Sequence, residues 1–146
     1  MHERSVTISE SGQGPYGQYV VAGQHVFGAD EPESLGGKNT GADPYELLLA
    51  ALGACTAMTI RMYAERKKIP LKHCEVRLRH LQRASAGREA TDKFERVITL
   101  VGDLTPEQRK ILLDVAERCP VSKTLRQGSE IVSSLADEPT ALAPST

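Results

Sequence analysis

The sequence predicts an α+β fold in which antiparallel sheets wrap around a long central helix and a second helix. Three observations predict it: short strands cluster before and after the helices, few helices separate them, and one long segment is apolar on every side. Runs of strands with few interleaved helices favour antiparallel sheets over a doubly wound fold. The chain has 146 residues, of which 40% are hydrophobic. We therefore expect one domain over residues 1–137.

The central helix is predicted over residues 43–68. Asp43 suits the N-cap, Pro44 suits the first helical position, and Glu46 completes a capping box. From position 47 to position 64 nearly every residue is apolar or small, which is typical of a helix buried on all sides. A single chain of this size has too few other strands and helices to cover such a helix on every side. We therefore expect a homodimer with the two central helices packed near a two-fold axis.

The remaining elements follow from hydrophobic alternation and turn residues. Three strands forming an antiparallel meander precede the central helix, and a polar connection without periodicity joins them to it. That connection is either a functional or mobile loop or a plain surface crossover, and the sequence leaves both open. After the central helix come two strands joined by a turn or disordered link, a second helix that Pro120 ends, a last strand and a disordered tail. In chain order these are 4–10, 18–23, 24–28, 29–42 (the connection), 73–81, 84–90 (the link), 93–101, 105–119, 129–135 and 138–146 (the tail).

Composition argues against several classes of function. A net charge of −1 gives no electrostatic reason to bind nucleic acid or an anionic membrane, and aromatic residues make up only 4% of the chain. The central helix is rich in Ala, Gly and Thr, which makes it a poor membrane span, and no signal peptide is visible. Three cysteines are too few for a secreted disulfide scaffold and lack zinc-ligand spacing. We expect a cytoplasmic protein without a bound metal.

The three cysteines differ in their surroundings. Cys74 lies on the apolar face of a predicted strand, where we interpret it as a small buried hydrophobic residue. Cys55 lies in the middle of the central helix among small residues, whereas Cys119 lies in the last turn of the second helix, where local movement costs little. A fixed thiol facing a movable one is the layout of a peroxidatic and a resolving cysteine. The pattern alone also allows two cysteines without a joint role.

Two sequence motifs carry a family resemblance. The run DPYELLLAALGACTAMTIRMY contains Cys55, and the later run CPVSKTL begins with Cys119. Together with LGG at 35–37 and GDLT at 102–105, they resemble the OsmC/Ohr family of osmotically inducible and organic hydroperoxide resistance proteins. The resemblance covers residues 20–134 or so, and it is closer to the OsmC-like branch than to the dedicated organic hydroperoxide reductases.

The resemblance implies an intertwined homodimer and thiol-dependent reduction of organic hydroperoxides. It implies Cys55 as the peroxidatic and Cys119 as the resolving cysteine, joined in a disulfide after turnover. No cofactor is expected, but a dithiol or lipoyl-type reductant is expected as co-substrate. The alternative function is a non-enzymatic dimer that binds an apolar small molecule in the same cleft.

The chain departs from the reductases of that family at two positions. They carry a glutamate directly after the proline of the helix start, where this chain has Tyr45, and they carry an arginine where this chain has none across residues 12–17. Glu46 lies nine residues before Cys55 and so faces the other side of a straight helix at about 100° per residue; we interpret it as a capping residue. A thiolate needs a nearby cation or hydrogen-bond donors. The candidates that could activate Cys55 are a residue of the partner subunit and Arg4, Lys38 and Arg126.

Overall fold

The structure is a computed structural model, and it describes residues 3–82 and 92–136. Within this part of the chain there are two antiparallel sheets and three α-helices, which confirms the predicted α+β class. The predicted link at 84–90 and the predicted tail at 138–146 lie outside the described residues.

The described residues group into two compact units. One unit holds residues 3–47 and 131–136, and the other holds residues 48–82 and 92–130. Each unit is described by itself below, and the prediction of a single domain stays a prediction.

The first unit contains the predicted meander. Its strands are β1 (Thr7–Glu10), β2 (Gln18–Ala22) and β3 (His25–Ala29), and each pairs with the next in antiparallel register. The turn between β2 and β3 places Gly23 at φ 64°, a left-handed conformation that glycine adopts without steric cost. Val20 and Ala29 are buried in this unit. The alternation seen in the sequence therefore predicts this sheet correctly.

The connection after β3 is held in shape by one buried carboxylate. Asp30 accepts hydrogen bonds from the backbone N–H of Glu31 (2.7 Å), of Lys38 (3.2 Å) and of Thr40 (3.1 Å), and from the Thr40 hydroxyl (2.8 Å). Burial by itself raises the pKa of Asp30, but these hydrogen bonds outweigh it and lower the pKa below the usual value. A Cβ at Gly37 would lie 2.0 Å from the carbonyl oxygen of Glu31, so this position has no room for a side chain.

The second unit packs helices against a two-stranded sheet. Strands β4 (Leu71–Gln82) and β5 (Asp92–Gly102) pair in antiparallel register. Helix α1 (Pro44–Arg66) begins in the first unit and continues through the second, which also holds α2 (Pro106–Ala116). One buried cluster joins these elements, and its members are Ile60, Ala64, Leu71, Leu112 and Ala116.

Both predicted capping boxes are present. At the start of α1, Glu46 N–H donates to the Asp43 carboxylate (2.7 Å), and Asp43 N–H donates to the Glu46 carboxylate (3.0 Å). At the start of α2, Thr105 and Gln108 exchange the equivalent pair of bonds. In each box, side chains three residues apart accept hydrogen bonds from backbone N–H groups at the helix start, so the sequence spacing alone was sufficient to predict both boxes.

One chain buries α1 on one side only, so its expected burial on all sides, part of which was expected from a second chain, stays a prediction. Its buried residues lie on one stripe at mostly four-residue spacing, whereas Met58 and Met62 on the other side are 69% and 56% exposed. Close packing explains part of the stripe, because a Cβ at Gly53 would lie 2.6 Å from Leu78 Cδ1. Among the described residues, α1 is the helix long and apolar enough to cross a membrane, a test that the core helix of a soluble protein also passes.

The end of the chain differs from the prediction in two ways. Pro120 does not simply end the second helix, because it is the first residue of another helix, α3 (Pro120–Gln127). Proline suits a first helical position, where its missing N–H costs nothing. The strand predicted at 129–135 is absent, and its apolar residues Ile131, Val132 and Leu135 are exposed. Within the described residues that segment pairs with no strand, so alternation alone did not make it one.

Candidate active site

Cys119 lies at the junction between α2 and α3. It is the N-cap residue of α3, with extended backbone angles (φ −64°, ψ 137°), and its sulfur accepts a hydrogen bond from Ser122 N–H at 3.3 Å. The sulfur thus occupies the place that a serine or threonine oxygen takes in an ordinary cap. The expected position in the last turn of the second helix is wrong. Cys119 is instead a fully buried residue, 0% exposed, at the start of the next helix.

Cys55 reaches the same point from α1. It is half-buried, and the next residue, Thr56, lies 3.8 Å from the Cys119 sulfur; the Cys55 thiol is also one of the groups that lower the pKa of Cys119. The fold therefore brings the two predicted site residues together. Cys74 is separate from this pair, because it packs against the core cluster from β4, where burial raises the pKa of its thiol although Arg61 lowers it.

An arginine from β5 completes the site. Arg96 Nη1 donates to the Thr56 hydroxyl at 2.8 Å and lies 3.8 Å from the Cys119 sulfur, while Nη2 donates to the Ser122 hydroxyl at 3.3 Å. The Arg96 side chain is only 11% exposed. The buried Thr56 hydroxyl lies 3.8 Å from the same sulfur and donates to the Leu52 carbonyl. Two elements besides α3 itself, α1 and β5, thus contribute donors or the groups that hold them around one sulfur.

These donors change the acidity of Cys119. Burial by itself raises the pKa of the thiol, because it penalises the charged form. The Ser122 N–H, the Cys55 thiol, the Thr56 hydroxyl and the Arg96 guanidinium all stabilise the thiolate, and together they lower the pKa below its usual value. The first turn of α3 adds the positive end of the helix dipole. Cys119 is therefore a thiol prepared to carry negative charge while it remains buried.

Two further charges surround Arg96. The Glu117 carboxylate lies 3.6 Å from Arg96 Nη2, and Arg126 from α3 donates to the same carboxylate and to the Glu117 carbonyl oxygen (3.1 Å). Glu117 therefore lies between two arginines and forms an ion pair with each of them. The guanidinium of Arg96 is anchored on both sides, by the carboxylate and by the Thr56 and Ser122 hydroxyls.

A cavity opens beside these groups. Its volume is about 560 Å³, and Arg96 and Ser122 contribute to its wall. Apolar side chains form another part of the wall, and charged side chains surround the rest: Leu52, Phe94, Leu125, Asp92, Lys93, Glu117 and Arg126. Within residues 3–82 and 92–136, no three His, Cys, Asp or Glu side chains cluster closely enough to hold a metal ion. The cavity can hold a small organic molecule beside Arg96 and Ser122, the two lining residues that contact Cys119.

Comparison with known families identifies the chain. The sequence model of the OsmC-like protein family matches residues 37–134, a range that includes both cysteines, Thr56, Arg96 and Ser122. The chain belongs to the OsmC-like family. No curated protein matches this sequence at a significant level.

Solved structures share the OsmC-like fold. An OsmC-like protein from Mycoplasma pneumoniae has a TM-score of 0.72 at 18% identity, with 86% of this chain and 88% of that chain covered. An organic hydroperoxide resistance protein OsmC from Legionella pneumophila has a TM-score of 0.67 at 22% identity, covering 86% and 90%. One from Elizabethkingia anophelis has a TM-score of 0.67 at 22% identity, covering 86% and 89%. At these identities the likeness shows the fold alone.

Arg96 was not among the cations that the sequence of this OsmC-like chain suggested for activating a thiol. Arg126, one of the candidates, pairs with Glu117, and the arginine that contacts a cysteine is Arg96. A signal was present, because Arg96 shares the apolar face of β5 with Phe94 and Ile98. A charged residue at such a position needs a buried partner. The contact is also made to Cys119, whereas the cation was sought for Cys55.

Proposed function

We propose that this OsmC-like chain is a thiol-dependent peroxidase that reduces organic hydroperoxides with Cys55 and Cys119 as its redox pair. One observation supports the proposal most: Thr56, the residue after the half-buried Cys55, lies 3.8 Å from the sulfur of the fully buried Cys119, and the Cys55 thiol itself lowers the pKa of Cys119. Two neighbouring thiols, one of them partly exposed, suit oxidation of the first and capture by the second. The solved relatives that are named organic hydroperoxide resistance proteins agree with this reaction class.

The proposed cycle balances in three steps. The Cys55 thiolate attacks a hydroperoxide oxygen, so that the O–O bond breaks, an alcohol leaves and Cys55 becomes a sulfenic acid. Cys119 then attacks the Cys55 sulfur, which forms the Cys55–Cys119 disulfide and releases water. A dithiol or lipoyl-type reductant exchanges with this disulfide, restores both thiols and is itself oxidised to a disulfide. The protein's own residues supply the thiols, and no bound cofactor is needed.

The cavity beside Arg96 is the proposed entry for substrate. Apolar groups such as Leu52, Phe94 and Leu125 suit the organic part of a hydroperoxide. The polar part of the cavity wall includes Arg96, which contacts Cys119. The same apolar wall also favours the second candidate function, a dimer that binds an apolar small molecule without chemistry. An unreactive Cys55 together with ligand binding in this cavity would select that alternative.

Steady-state turnover tests the peroxidase. We expect the protein to consume cumene hydroperoxide with dihydrolipoamide as reductant, and to do so far more slowly with a monothiol. Cys55→Ser should abolish turnover, because no sulfenic acid can form. Cys119→Ser should abolish turnover with the dithiol and leave Cys55 open to sulfinic acid. Cys74→Ala is the matched control and should turn over like the parent. Hydroperoxide loss that persists in Cys55→Ser would contradict the proposal.

We also propose that the working form is a cytoplasmic homodimer. The exposed residues Met58 and Met62 form an apolar surface on α1 that one chain leaves uncovered. Ile60, by contrast, is fully buried within the chain, so Ile60→Asp would test folding rather than association. Met58→Asp places a charge on the exposed side, and we expect it to yield folded monomer in light scattering. Met58→Leu should stay dimeric. A parent protein that is monomeric at micromolar concentration would exclude the dimer.

A further inference from the structure

The sulfur of Cys119 lies in surroundings that suit an anion. Cys119 is 0% exposed, so protein groups must balance the charge of a thiolate at this position. Ser122 N–H donates to the sulfur at 3.3 Å, and Arg96 Nη1 donates to it at 3.8 Å. A thiol attacks another sulfur as the thiolate. These two donors are therefore placed to act on the step in which Cys119 captures the oxidised Cys55.

Arg96 is fixed at this sulfur by polar groups from two helices. Its Nη1 also donates to the Thr56 hydroxyl of α1 at 2.8 Å, and its Nη2 donates to the Ser122 hydroxyl of α3 at 3.3 Å. A guanidinium carries five N–H donors in a rigid fork, so it can bind both hydroxyls and still point at the sulfur. The side chain is only 11% exposed, and its attraction to a thiolate is therefore weakly screened by water.

We propose that Arg96 keeps Cys119 ready as the attacking thiolate, and that it thereby sets how often the sulfenic acid of Cys55 is captured before a second hydroperoxide oxidises it. This role rests on the proposed peroxidase function and deepens it, because it assigns a residue of β5 to the second chemical step. In the part of the chain that the structure describes, the guanidinium contacts the sulfur of Cys119 and not that of Cys55. The first oxidation should therefore not depend on Arg96.

The titratable and charged groups around Cys119 come from four elements. They are Arg96 of β5, Glu117 at the end of α2, Arg126 of α3 and the Cys55 thiol of α1. Burial raises the pKa of Cys119, but hydrogen bonds from its neighbours outweigh burial and lower the pKa below the usual value. Glu117 is 52% exposed and is paired with both arginines, so its charge opposes the thiolate less than the buried guanidinium favours it.

Two reactions compete for the sulfenic acid of Cys55, and both balance without a proton from Arg96. In capture, the Cys119 thiolate attacks the Cys55 sulfur, an S–S bond forms, the S–O bond breaks, and the leaving hydroxide takes a proton from solvent to give water. In overoxidation, the Cys55 sulfenate attacks ROOH, a second S–O bond forms, the O–O bond breaks, and ROH and a sulfinate result. Overoxidation depends on the hydroperoxide concentration and capture does not, so the ratio of products measures the capture rate.

The experiment exposes the full-length protein briefly to increasing cumene hydroperoxide and quantifies Cys55 sulfinic acid and Cys55–Cys119 disulfide by mass spectrometry. The concentration that gives equal amounts is proportional to the capture rate. In Arg96→Gln it should fall about tenfold for each unit by which the pKa of Cys119 rises above the working pH. The gap to the parent should close as the pH is raised, because hydroxide then removes the proton. Arg96→Lys keeps the charge and should recover part of the loss.

A matched control separates this effect from a general loss of structure. Arg79 forms an exposed ion pair with Glu95 at 2.7 Å, so Arg79→Gln removes an arginine from the same sheet away from both sulfurs, and its product ratio should equal that of the parent. An unchanged ratio in Arg96→Gln would overturn the proposal. A ratio that changes by the same factor at every pH would also overturn it, because Arg96 would then hold the structure and not the charge.

A second measurement needs no hydroperoxide. In Cys55→Ser/Cys74→Ala the remaining cysteine is Cys119, and its thiolate can be titrated by ultraviolet absorbance against pH. Adding Arg96→Gln to this variant should move the rise in absorbance to higher pH, and the absence of a shift would overturn the proposal even in an active peroxidase. If the parent Cys55 resists hydroperoxide, the peroxidase fails and the capture role fails with it, whereas the shift would still show that Arg96 holds the thiolate.

Discussion

Asp30 and Cys119 are two buried acceptors built by the same physical means. The Asp30 carboxylate accepts three backbone N–H groups and one hydroxyl, all from residues no more than ten positions away in the chain. The Cys119 sulfur accepts one local N–H, from Ser122, and is otherwise surrounded by groups from α1 and β5, including a cation and a second thiol. In both places hydrogen bonds outweigh burial and lower the pKa.

The difference lies in what the donors can do. Backbone N–H groups and the Thr40 hydroxyl around Asp30 hold the carboxylate and fix a loop, and no group there exchanges protons near neutral pH. At Cys119 one of the neighbouring groups is itself a thiol, that of Cys55, so in the proposed function the two sulfurs join in a disulfide. Local donors thus hold a structural carboxylate at Asp30, whereas groups from distant elements surround the sulfur that we propose to be redox-active.

The largest effect on stability is expected at Asp30. Asp30→Asn replaces one acceptor oxygen by an NH₂ group that faces donors, so the loop loses hydrogen bonds and gains a clash of donors. We expect this substitution to lower Tm more than Thr56→Val or Glu46→Ala does. Asp103→Asn, at an exposed carboxylate, is the matched control and should leave Tm nearly unchanged.

The loss of Tm in Asp30→Asn should depend on pH, because the pKa of Asp30 is lowered in the folded chain. Asp30 is a stronger acid in the folded chain than in the unfolded chain, where an aspartate has a pKa of about 3.9. Its stabilising contribution is therefore complete above that value and is lost as the pH falls through the folded-state pKa. The Tm difference between parent and Asp30→Asn should be widest at neutral pH and should shrink below about pH 4. A difference that grows in acid would contradict this account of the loop.

A smaller effect on stability, with an added effect on reactivity, is expected at Thr56. Thr56→Val keeps the shape and removes the hydroxyl that accepts from Arg96 at 2.8 Å and contacts the Cys119 sulfur. Leaving a buried donor without its acceptor costs about 1–3 kcal/mol. Urea unfolding should show this loss, and formation of the Cys55–Cys119 disulfide after hydroperoxide should slow, because Thr56 is one of the groups that stabilise the Cys119 thiolate. Thr59→Val makes the same change on the same helix and should leave disulfide formation at the parent rate.

The smallest effect is expected at Glu46, another acceptor whose partner is local. Glu46→Ala removes one half of the capping box at the start of α1 and should lower the free energy of unfolding by about 0.5–1 kcal/mol. Denaturant titration measures the loss, and Cys55 alkylation should not change. A large loss of thiol reactivity at unchanged stability would show that Glu46 serves the reactive site, and the contrast between local and distant acceptors would then fail.

The same contrast explains what the sequence could predict. The capping boxes at Asp43 and Thr105 were predictable, because donor and acceptor lie three residues apart and no other part of the chain is needed. The meander of β1 to β3 was predictable for the same reason, since its strands are neighbours in the chain. The cysteine pair was expected from the family motifs, whose order survives in this chain.

The features that were missed depend on contacts between distant residues. Arg96 meets Thr56 across 40 positions of sequence, and alternation in β5 shows only which face the arginine occupies, not its partner. Pro120 is compatible with both the end of one helix and the start of another, and the buried Cys119 cap favours the second. The apolar residues at 129–135 have the alternation of a strand, but a strand needs a neighbour to pair with, and alternation does not provide one.

Disulfide mapping after oxidation tests the central claim most directly. The full-length protein is treated with one equivalent of cumene hydroperoxide, free thiols are alkylated, and the peptides are identified by mass spectrometry. We expect one disulfide, between Cys55 and Cys119, with Cys74 recovered as the alkylated thiol. A disulfide that contains Cys74, or a Cys55 that stays reduced under excess hydroperoxide, would contradict it.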